Sequence, residues 1–153
     1  MANSTMTPPL PPHKITREIP LSVEGWNILV VDDTPDNVTV IRSVLNYHGA
    51  IVHTARNGRE GLAILEKICP NLILADIRMP EVDGYEMIEI IRGNPAYTNI
   101  PTIAVTAYAI DGDKERIVSA GFDGYISKPF NVMTLVKDIG RILNRIPSSR
   151  STL

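Results

Sequence analysis

Short apolar runs alternate with amphipathic segments along most of the chain. Five runs, of which "NILVV" is the first, have the length and composition of strands. They cover residues 27–31, 50–55, 71–75, 101–107 and 124–127. Residues between the runs recur at helical spacing, as Val38, Ile41 and Leu45 do in the first such segment. The pattern predicts five strand–helix units.

Helix boundaries follow from capping and breaking residues. Thr34 is expected to cap the first helix, and Pro35 suits its first turn because no N–H is needed there. Asn57 opens the second helix, which carries Leu62, Leu65 and Ile68 on one face. The predicted helices cover residues 34–49, 57–68, 84–92, 111–120 and 131–145.

Repeated strand–helix units specify an α/β fold with a parallel sheet and helices on both faces, because right-handed crossovers leave few other topologies. The third run, residues 71–75, is almost entirely apolar, which is typical of a strand covered on both faces. In open sheets of this kind, ligands bind outside the carboxyl ends of the strands. The functional site is therefore expected at that edge.

Composition narrows the class of protein. The 153 residues are 44% hydrophobic and 21% charged, as in a soluble domain with tails. No apolar run approaches the roughly 18 residues of a membrane helix, so no membrane partner is expected. A net charge of −2 argues against direct nucleic-acid binding. Cys69 is the single cysteine, which fits a reducing, cytoplasmic location, and we expect it to be buried as a small apolar residue.

The two ends of the chain differ in composition from the middle. Residues 1–25 are rich in proline without a sustained period and are interpreted as a flexible N-terminal extension. Residues 26–146 form the predicted domain. Residues 147–153 are interpreted as a disordered C-terminal tail.

Charged and hydroxyl side chains fall where the predicted strands end. Asp32 and Asp33 follow the first strand, Asp76 the third, Thr106 the fourth and Lys128 the fifth. Each alone has another explanation, such as a helix cap or a solvated charge. Three carboxylates at one edge repel one another, however, unless a hard cation lies among them, and Mg²⁺ prefers oxygen ligands.

The same set suits phosphoryl transfer. A hydroxyl at Thr106 can donate a hydrogen bond to a phosphoryl group, and the Lys128 ammonium can neutralise its charge. A carboxylate can act as the nucleophile. Asp76 is assigned that role because it ends the strand expected at the centre of the sheet.

The motifs "VVDD", "DIRMPEVDG", "AVTA" and "YISKPF" occur in this order, and with them residues 27–146 resemble a response regulator receiver domain of two-component signalling. The segment 100–129 is similar to stand-alone, DivK-like receivers. The resemblance implies a flavodoxin-like sheet with strand order 2-1-3-4-5. It also implies a signalling domain that catalyses its own phosphotransfer and dephosphorylation and is not otherwise an enzyme.

The resemblance assigns roles to the acidic residues. Asp76 would accept a phosphoryl group from a phosphohistidine on a sensor histidine kinase or a histidine phosphotransfer protein. Asp33, Asp76 and the backbone carbonyl of Arg78 would bind Mg²⁺, with Asp32 acting through water. Lys128 would pair with the Asp76 carboxylate or its phosphoryl group.

The resemblance further implies a switch. Thr106 would move to bond the phosphoryl oxygen, and the ring of Tyr125 would turn into the vacated space. The peptide bond before Pro129 would be cis, and residues 110–145 would bind a downstream protein. Arg78 and Tyr108, which flank the approach of water in similar receivers, hint at slow hydrolysis.

Other functions on this architecture fit less well. A flavodoxin needs a phosphate loop after the first strand, where "DDTPDN" would repel phosphate without a metal. A phosphatase of the haloacid-dehalogenase type, with a D-x-D motif, is a distant alternative because Asp32 and Asp33 are adjacent. All five strand-end residues are present, which argues against a receiver that works without phosphorylation. They are Asp32, Asp33, Asp76, Thr106 and Lys128. Met1 and the short tail after Ile146 favour a stand-alone regulator, and the alternative is a receiver from a hybrid histidine kinase.

Overall fold

The computed structural model describes residues 22–79, 81–107 and 113–146, and in them the chain forms a parallel sheet. The strands are β1 Asn27–Val31, β2 Ile51–Ala55, β3 Leu72–Ala75, β4 Thr102–Thr106 and β5 Gly124–Ser127. The helices are α1 Pro35–Tyr47, α2 Gly58–Leu65, α3 Gly84–Gly93, α4 Asp113–Ala120 and α5 Leu135–Leu143. The strand order β2-β1-β3-β4-β5 confirms the predicted flavodoxin-like fold.

Alternation along β1 shows how the sheet buries both of its faces. Ile28 and Val30 belong to a core cluster with α1 and α5, whereas Leu29 and Val31 belong to a second cluster with α2, α3 and α4. Complete burial of each such side chain stabilises the fold by about 1.5–3 kcal/mol. A shift of one residue in register would exchange the two sets, so the pattern fixes the pairing of the strands.

The three inner strands bring their carboxyl ends side by side. Val31 of β1 pairs with Ala75 of β3, and Ala75 pairs with Ala104 of β4. The outer strands are less covered, and Ile51 at the start of β2 is exposed. Residues that directly follow β1, β3 and β4 therefore meet at one edge of the sheet.

Local hydrogen bonds explain where the helices start. The side chain of Asn57 accepts the N–H of Glu60 at 2.8 Å and so caps α2 as predicted. Thr34 is the N-cap residue of α1, but its side chain makes no capping bond. Its backbone N–H donates instead to Asp32 at 2.9 Å. This loop therefore orients an acid rather than capping the helix through the hydroxyl group.

Several predicted boundaries and one burial prediction were wrong. The last helix begins at Leu135 and not near 131, because Asn131 accepts the N–H groups of Met133 and Thr134 in a turn. The second helix ends at Leu65, and Cys69 beyond it is exposed rather than buried.

One residue of the predicted N-terminal extension belongs to the hydrophobic core. Val23 is fully buried in the cluster beneath α1 and α5. Residues 1–21 and 147–153 lie outside the described residues, as do Tyr108 and the expected helix start at 111. In the described part, no helix is both long and apolar enough to cross a bilayer.

Candidate functional site

Three carboxylates meet where β1 and β3 end. Asp32 and Asp33 follow β1, and Asp76 follows its neighbour β3. One oxygen atom from each of the three lies within 4.8 Å of the others. Asp32 is 2% exposed and Asp76 is 7% exposed, whereas Asp33 lies at the surface. The predicted acidic cluster therefore exists, with two buried members and one open to solvent.

Lys128 reaches this cluster from the end of β5. Its Nζ donates to Asp32 Oδ2 at 2.8 Å and to Asp76 Oδ2 at 3.0 Å. Its backbone N–H donates to the carbonyl oxygen of Thr106 at 2.9 Å. That backbone bond ties the end of β5 to the end of β4, so the sheet itself sets the position from which the ammonium approaches the acids.

Backbone N–H groups hold the remaining oxygens of the two buried acids. Asp32 Oδ1 accepts the N–H of Thr34 at 2.9 Å, and Asp76 Oδ1 accepts the N–H of Ile77 at 2.7 Å. Each buried carboxylate therefore has one oxygen on a backbone amide and one on the Lys128 ammonium. Such bonds to an ionised acceptor are strong and directional, and they fix both side chains.

The charge at the site is not balanced. Burial raises the pKa of Asp76 above its ordinary value, although the hydrogen bonds from Lys128 and Ile77 oppose the change. Burial alone would lower the pKa of Lys128, but the hydrogen bonds and charges of Asp32 and Asp76 together raise it. The two pKa shifts have different causes, burial for Asp76 and the paired acids for Lys128. A single ammonium cannot neutralise two buried carboxylates. The site is therefore short of positive charge.

A divalent cation fits this deficit. Carboxylate oxygens are the ligands that Mg²⁺ prefers, and Mg²⁺ commonly keeps several waters, which the exposed side of the cluster at Asp33 allows. Both oxygens of Asp32 and both oxygens of Asp76 already accept hydrogen bonds. Asp33, which is exposed, is therefore the best placed of the three acids to meet a hydrated ion. The donor set thus fits magnesium.

The other predicted site residues lie around this centre. Thr106 is fully buried at the end of β4, next to β3. Arg78 is exposed, two residues after Asp76. The peptide bond between Lys128 and Pro129 is cis. Tyr125 is half-buried on β5 and packs against the cluster of α2, α3 and α4. It pairs with Ala104 of β4, which in turn pairs with Ala75, the residue before Asp76.

The sequence did not reveal every contact that shapes the site. The bond between the Ile77 N–H and Asp76 has no signature in residue types, since any residue but proline has that donor. The Nζ of Lys114 on α4 lies 5.9 Å from the ring centroid of Tyr125, a contact that depends on how α4 packs beside β5. Gly84 is part of the motif "DIRMPEVDG", but no role at the site was predicted for it.

Comparisons with known proteins point to one family. The profile of the response regulator receiver domain family matches residues 28–140. The polar-differentiation response regulator DivK of Brucella anthropi is 37% identical over 113 residues, which are 74% of this chain and 92% of that protein.

Solved structures show the same fold. Chemotaxis response regulator CheY4 of Vibrio cholerae matches with a TM-score of 0.73 and 30% identity, over 77% of this chain and 98% of that one. The receiver domain of a Pseudomonas aeruginosa sensor histidine kinase matches with a TM-score of 0.70 and 36% identity, over 76% and 96% of the two chains. That structure holds a magnesium ion coordinated in its active site cleft.

Proposed function

The chain belongs to the response regulator receiver family of two-component signalling, and from that premise we propose that it accepts a phosphoryl group on Asp76 and thereby changes its protein contacts. Receiver domains act in signalling and are not generally classed as enzymes. The observation that carries the proposal is the pairing of the Lys128 ammonium with Asp32 and Asp76, beside the exposed Asp33. The proposed location is the cytoplasm.

The transfer would be a displacement at phosphorus. A carboxylate oxygen of Asp76 attacks the phosphorus of a phosphohistidine on a sensor histidine kinase or histidine phosphotransfer protein. The new P–O bond forms as the P–N bond breaks, and the electron pair of that bond stays on the imidazole nitrogen. Lys128, already 3.0 Å from Asp76 Oδ2, stays close enough to pair with the added phosphoryl charge.

The magnesium ligands in this proposal are Asp33, Asp76 and the backbone carbonyl of Arg78, with Asp32 acting through water. Bound magnesium would neutralise negative charge between the carboxylate and the phosphoryl oxygens. Asp32 accepts hydrogen bonds from Thr34 and Lys128 and is the most deeply buried of the three acids, which supports an indirect role. The related Pseudomonas receiver with magnesium in its cleft supports the choice of ion.

The output would depend on Thr106 and Tyr125. Phosphorylation adds about 1.5–2 negative charges and three acceptor oxygens, which favours a conformation in which the Thr106 hydroxyl donates to the phosphoryl group. The ring of Tyr125 would then turn inward and alter the surface of residues 110–145. A groove of about 550 Å³, lined by Val118, Tyr125 and Ile142 among others, lies on that surface. The proposed target is a protein and not a nucleic acid.

Acetyl phosphate tests the acceptor directly. The full chain is incubated with acetyl phosphate and Mg²⁺ and run on a phosphate-affinity gel. We expect a retarded band for the native chain and for Asp36→Asn, whose acid lies in the first turn of α1. We expect none for Asp76→Asn, and retardation of that variant equal to the native chain would refute the assignment.

Two further experiments test the metal and the switch. Asp33→Ala is expected to lose magnesium-dependent labelling, and undiminished labelling would remove Asp33 from the metal site. Capture of a partner by the chain with and without beryllofluoride tests switching, since equal capture would indicate a passive binding module.

Similar proteins include both a response regulator and a kinase-borne receiver, so a receiver of a hybrid histidine kinase is the second candidate.

A further inference from the structure

Helix α2 begins in direct contact with the loop between β3 and α3. The N–H of Gly58 donates to the carbonyl oxygen of Val82 at 3.0 Å. A Cβ atom at residue 58 would collide with that oxygen and would lie 2.8 Å from Cγ1 of Val82. Only glycine therefore lets the helix start this close to the loop.

The next residue of α2 holds the same loop through an ion pair. Arg59 Nε lies 3.0 Å from Glu81 Oε1, between side chains that are 74% and 52% exposed. Glu81 has a φ of 62°, in the left-handed region that costs a residue with a Cβ about 1–2 kcal/mol. An exposed ion pair contributes up to about 1 kcal/mol. The pair with Arg59 thus offsets part of the backbone cost at Glu81.

The loop in turn packs on the backbone of the phosphoacceptor. Gly84 lies two residues after Val82, and its N–H donates to the carbonyl oxygen of Ile77 at 2.8 Å. A Cβ at residue 84 would lie 2.6 Å from the carbonyl oxygen of Asp76 and 2.7 Å from Cα of Ile77. The N–H of Ile77 then holds Asp76 Oδ1 at 2.7 Å. Close contacts thus lead from Gly58 to the reacting carboxylate.

We propose that Gly58 and Arg59 are positioning residues for Asp76. By fixing Val82 and Glu81, they keep Gly84 against Ile77, and the N–H of Ile77 then fixes the carboxylate. This inference rests on the proposed role of Asp76 as phosphoacceptor. Displacement of a reacting group by about 1 Å is enough to cost a large factor in rate, so a small shift of the loop has a measurable effect.

If α2 acted only through packing, any strained glycine substitution in the helix would affect the site equally. A second glycine of α2 distinguishes that role from positioning of Asp76. Gly61 is also tightly packed, because a Cβ there would lie 3.0 Å from Val31 Cγ2 and 3.4 Å from Met87 Sδ. Those neighbours belong to β1 and α3 and not to the β3–α3 loop. Gly61→Ala therefore strains α2 without the close contact to Val82. In Gly93→Ala, a Cβ meets nothing within 4 Å, which gives an unstrained control.

The experiment compares Gly58→Ala, Gly61→Ala and Gly93→Ala in the full chain. It measures hydrogen exchange of the Ile77 amide without metal, the Mg²⁺ dissociation constant by calorimetry, the labelling rate with acetyl phosphate, and the free energy of unfolding. For Gly58→Ala we expect about tenfold faster exchange at Ile77 relative to the amides of β3, with Mg²⁺ affinity and labelling each reduced about tenfold. Gly61→Ala and Gly93→Ala should leave the exchange at Ile77, the Mg²⁺ affinity and the labelling rate within about twofold of the native chain.

The ion pair supplies a milder test that does not depend on folding of the glycine variants. Arg59→Gln should speed exchange at Ile77, weaken Mg²⁺ binding and slow labelling, each by about threefold. Its control is Arg56→Gln, since Arg56 pairs at 2.8 Å with Glu60 on the same segment and not with the loop. A response of Arg56→Gln equal to that of Arg59→Gln would overturn the inference.

Failure of this inference is distinguishable from failure of the proposed function. Equal labelling, metal affinity and Ile77 exchange in Gly58→Ala and Gly61→Ala would show that α2 acts only through packing. A native chain that takes no phosphoryl group would refute the function of Asp76 itself. In that case the exchange at Ile77 would still show whether α2 positions the Asp76 carboxylate.

Discussion

Neutralising Asp33 should stabilise the metal-free protein, which is unusual for a substitution at a functional site. Asp33 is exposed, but one of its oxygens lies within 4.8 Å of oxygens of Asp32 and Asp76. The single ammonium of Lys128 already bonds to both of those buried acids. Asp33→Asn keeps the shape of the side chain and removes the least compensated charge of the cluster.

The size of the effect follows from Coulomb's law. At 4.8 Å, the upper limit of the oxygen separations in the cluster, two unit charges interact with about 0.9 kcal/mol in water and about 3.5 kcal/mol at an effective dielectric constant of 20. Asp33 faces two carboxylates, and attraction to Lys128 offsets about one of them. Because Asp33 lies at the surface, the value near the water limit applies, and we expect a gain of about 1 kcal/mol. For a domain of this size that is about 4 °C in Tm.

The assay is urea and thermal unfolding in chelator and again in excess Mg²⁺. A ligand at 100 times its dissociation constant stabilises the folded state by about 2.7 kcal/mol. The native chain should gain that amount, and Asp33→Asn, with a ligand lost, should gain much less. The order of stability of the two proteins should therefore reverse when Mg²⁺ is added.

A matched control removes the same charge outside the cluster. Asp36 lies in the first turn of α1, where a negative charge interacts favourably with the helix dipole. Asp36→Asn should therefore lower stability by about 0.3–1 kcal/mol, with or without Mg²⁺. If Asp33→Asn instead lowers the stability of the metal-free protein, or gains as much from Mg²⁺ as the native chain, the account of an uncompensated acidic cluster is wrong.

Three further predictions concern the scaffold and the switch. Arg92→Met removes the ion pair at 3.0 Å with Asp123, whose side chain is 3% exposed, and should cost about 3–5 kcal/mol in urea unfolding. A loss below about 1 kcal/mol would contradict a buried ion pair. Gly49→Ala, at a φ of 90°, should cost about 1–2 kcal/mol, and a cost no greater than that of Gly93→Ala would count against backbone strain. Under the proposed function, Thr106→Val should keep acetyl phosphate labelling but lose beryllofluoride-dependent partner capture, and retained capture would exclude the hydroxyl from the switch.

The sheet could be predicted from the sequence because its signal is local. The strands β1 and β5 have the predicted limits, and the other three differ by one residue at one or both ends. Inner strands need apolar residues on both faces, and that requirement is visible without knowledge of their neighbours. The order of the strands came from the family resemblance and not from periodicity.

Errors arose where a single side chain redirects the backbone or where packing decides exposure. The turn at Asn131 replaces the first turn of the predicted last helix. The side chain of Asn131 accepts the N–H of Met133, and its carbonyl oxygen accepts the N–H of Thr134, so these groups do not make the bonds of a regular helix. Cys69 was expected inside because cysteine is commonly buried, but it lies beyond the end of α2, where no element covers it among the described residues. Residue type alone could not distinguish these outcomes.

The candidate site was predictable in its members but not in its pairings. The motif residues Asp32, Asp33, Asp76 and Lys128 do meet at one edge of the sheet. Lys128 was expected to pair with Asp76, and the structure adds Asp32 at the shorter distance of 2.8 Å. The catalytic and metal roles of these residues, and the switch roles of Thr106 and Tyr125, stay predictions.

Under the proposed function, the shared ammonium would make the site respond to phosphorylation. Lys128 divides its hydrogen bonds between Asp32 and Asp76, so neither buried acid is fully neutralised. A divalent cation would make up this deficit, and under the proposed function a phosphoryl group on Asp76 would add negative charge that both the cation and Lys128 bind. Phosphorylation would then change which acid Lys128 binds best. β5 ends beside Lys128 and carries Tyr125, so it is the element through which that change would reach the groove at α5.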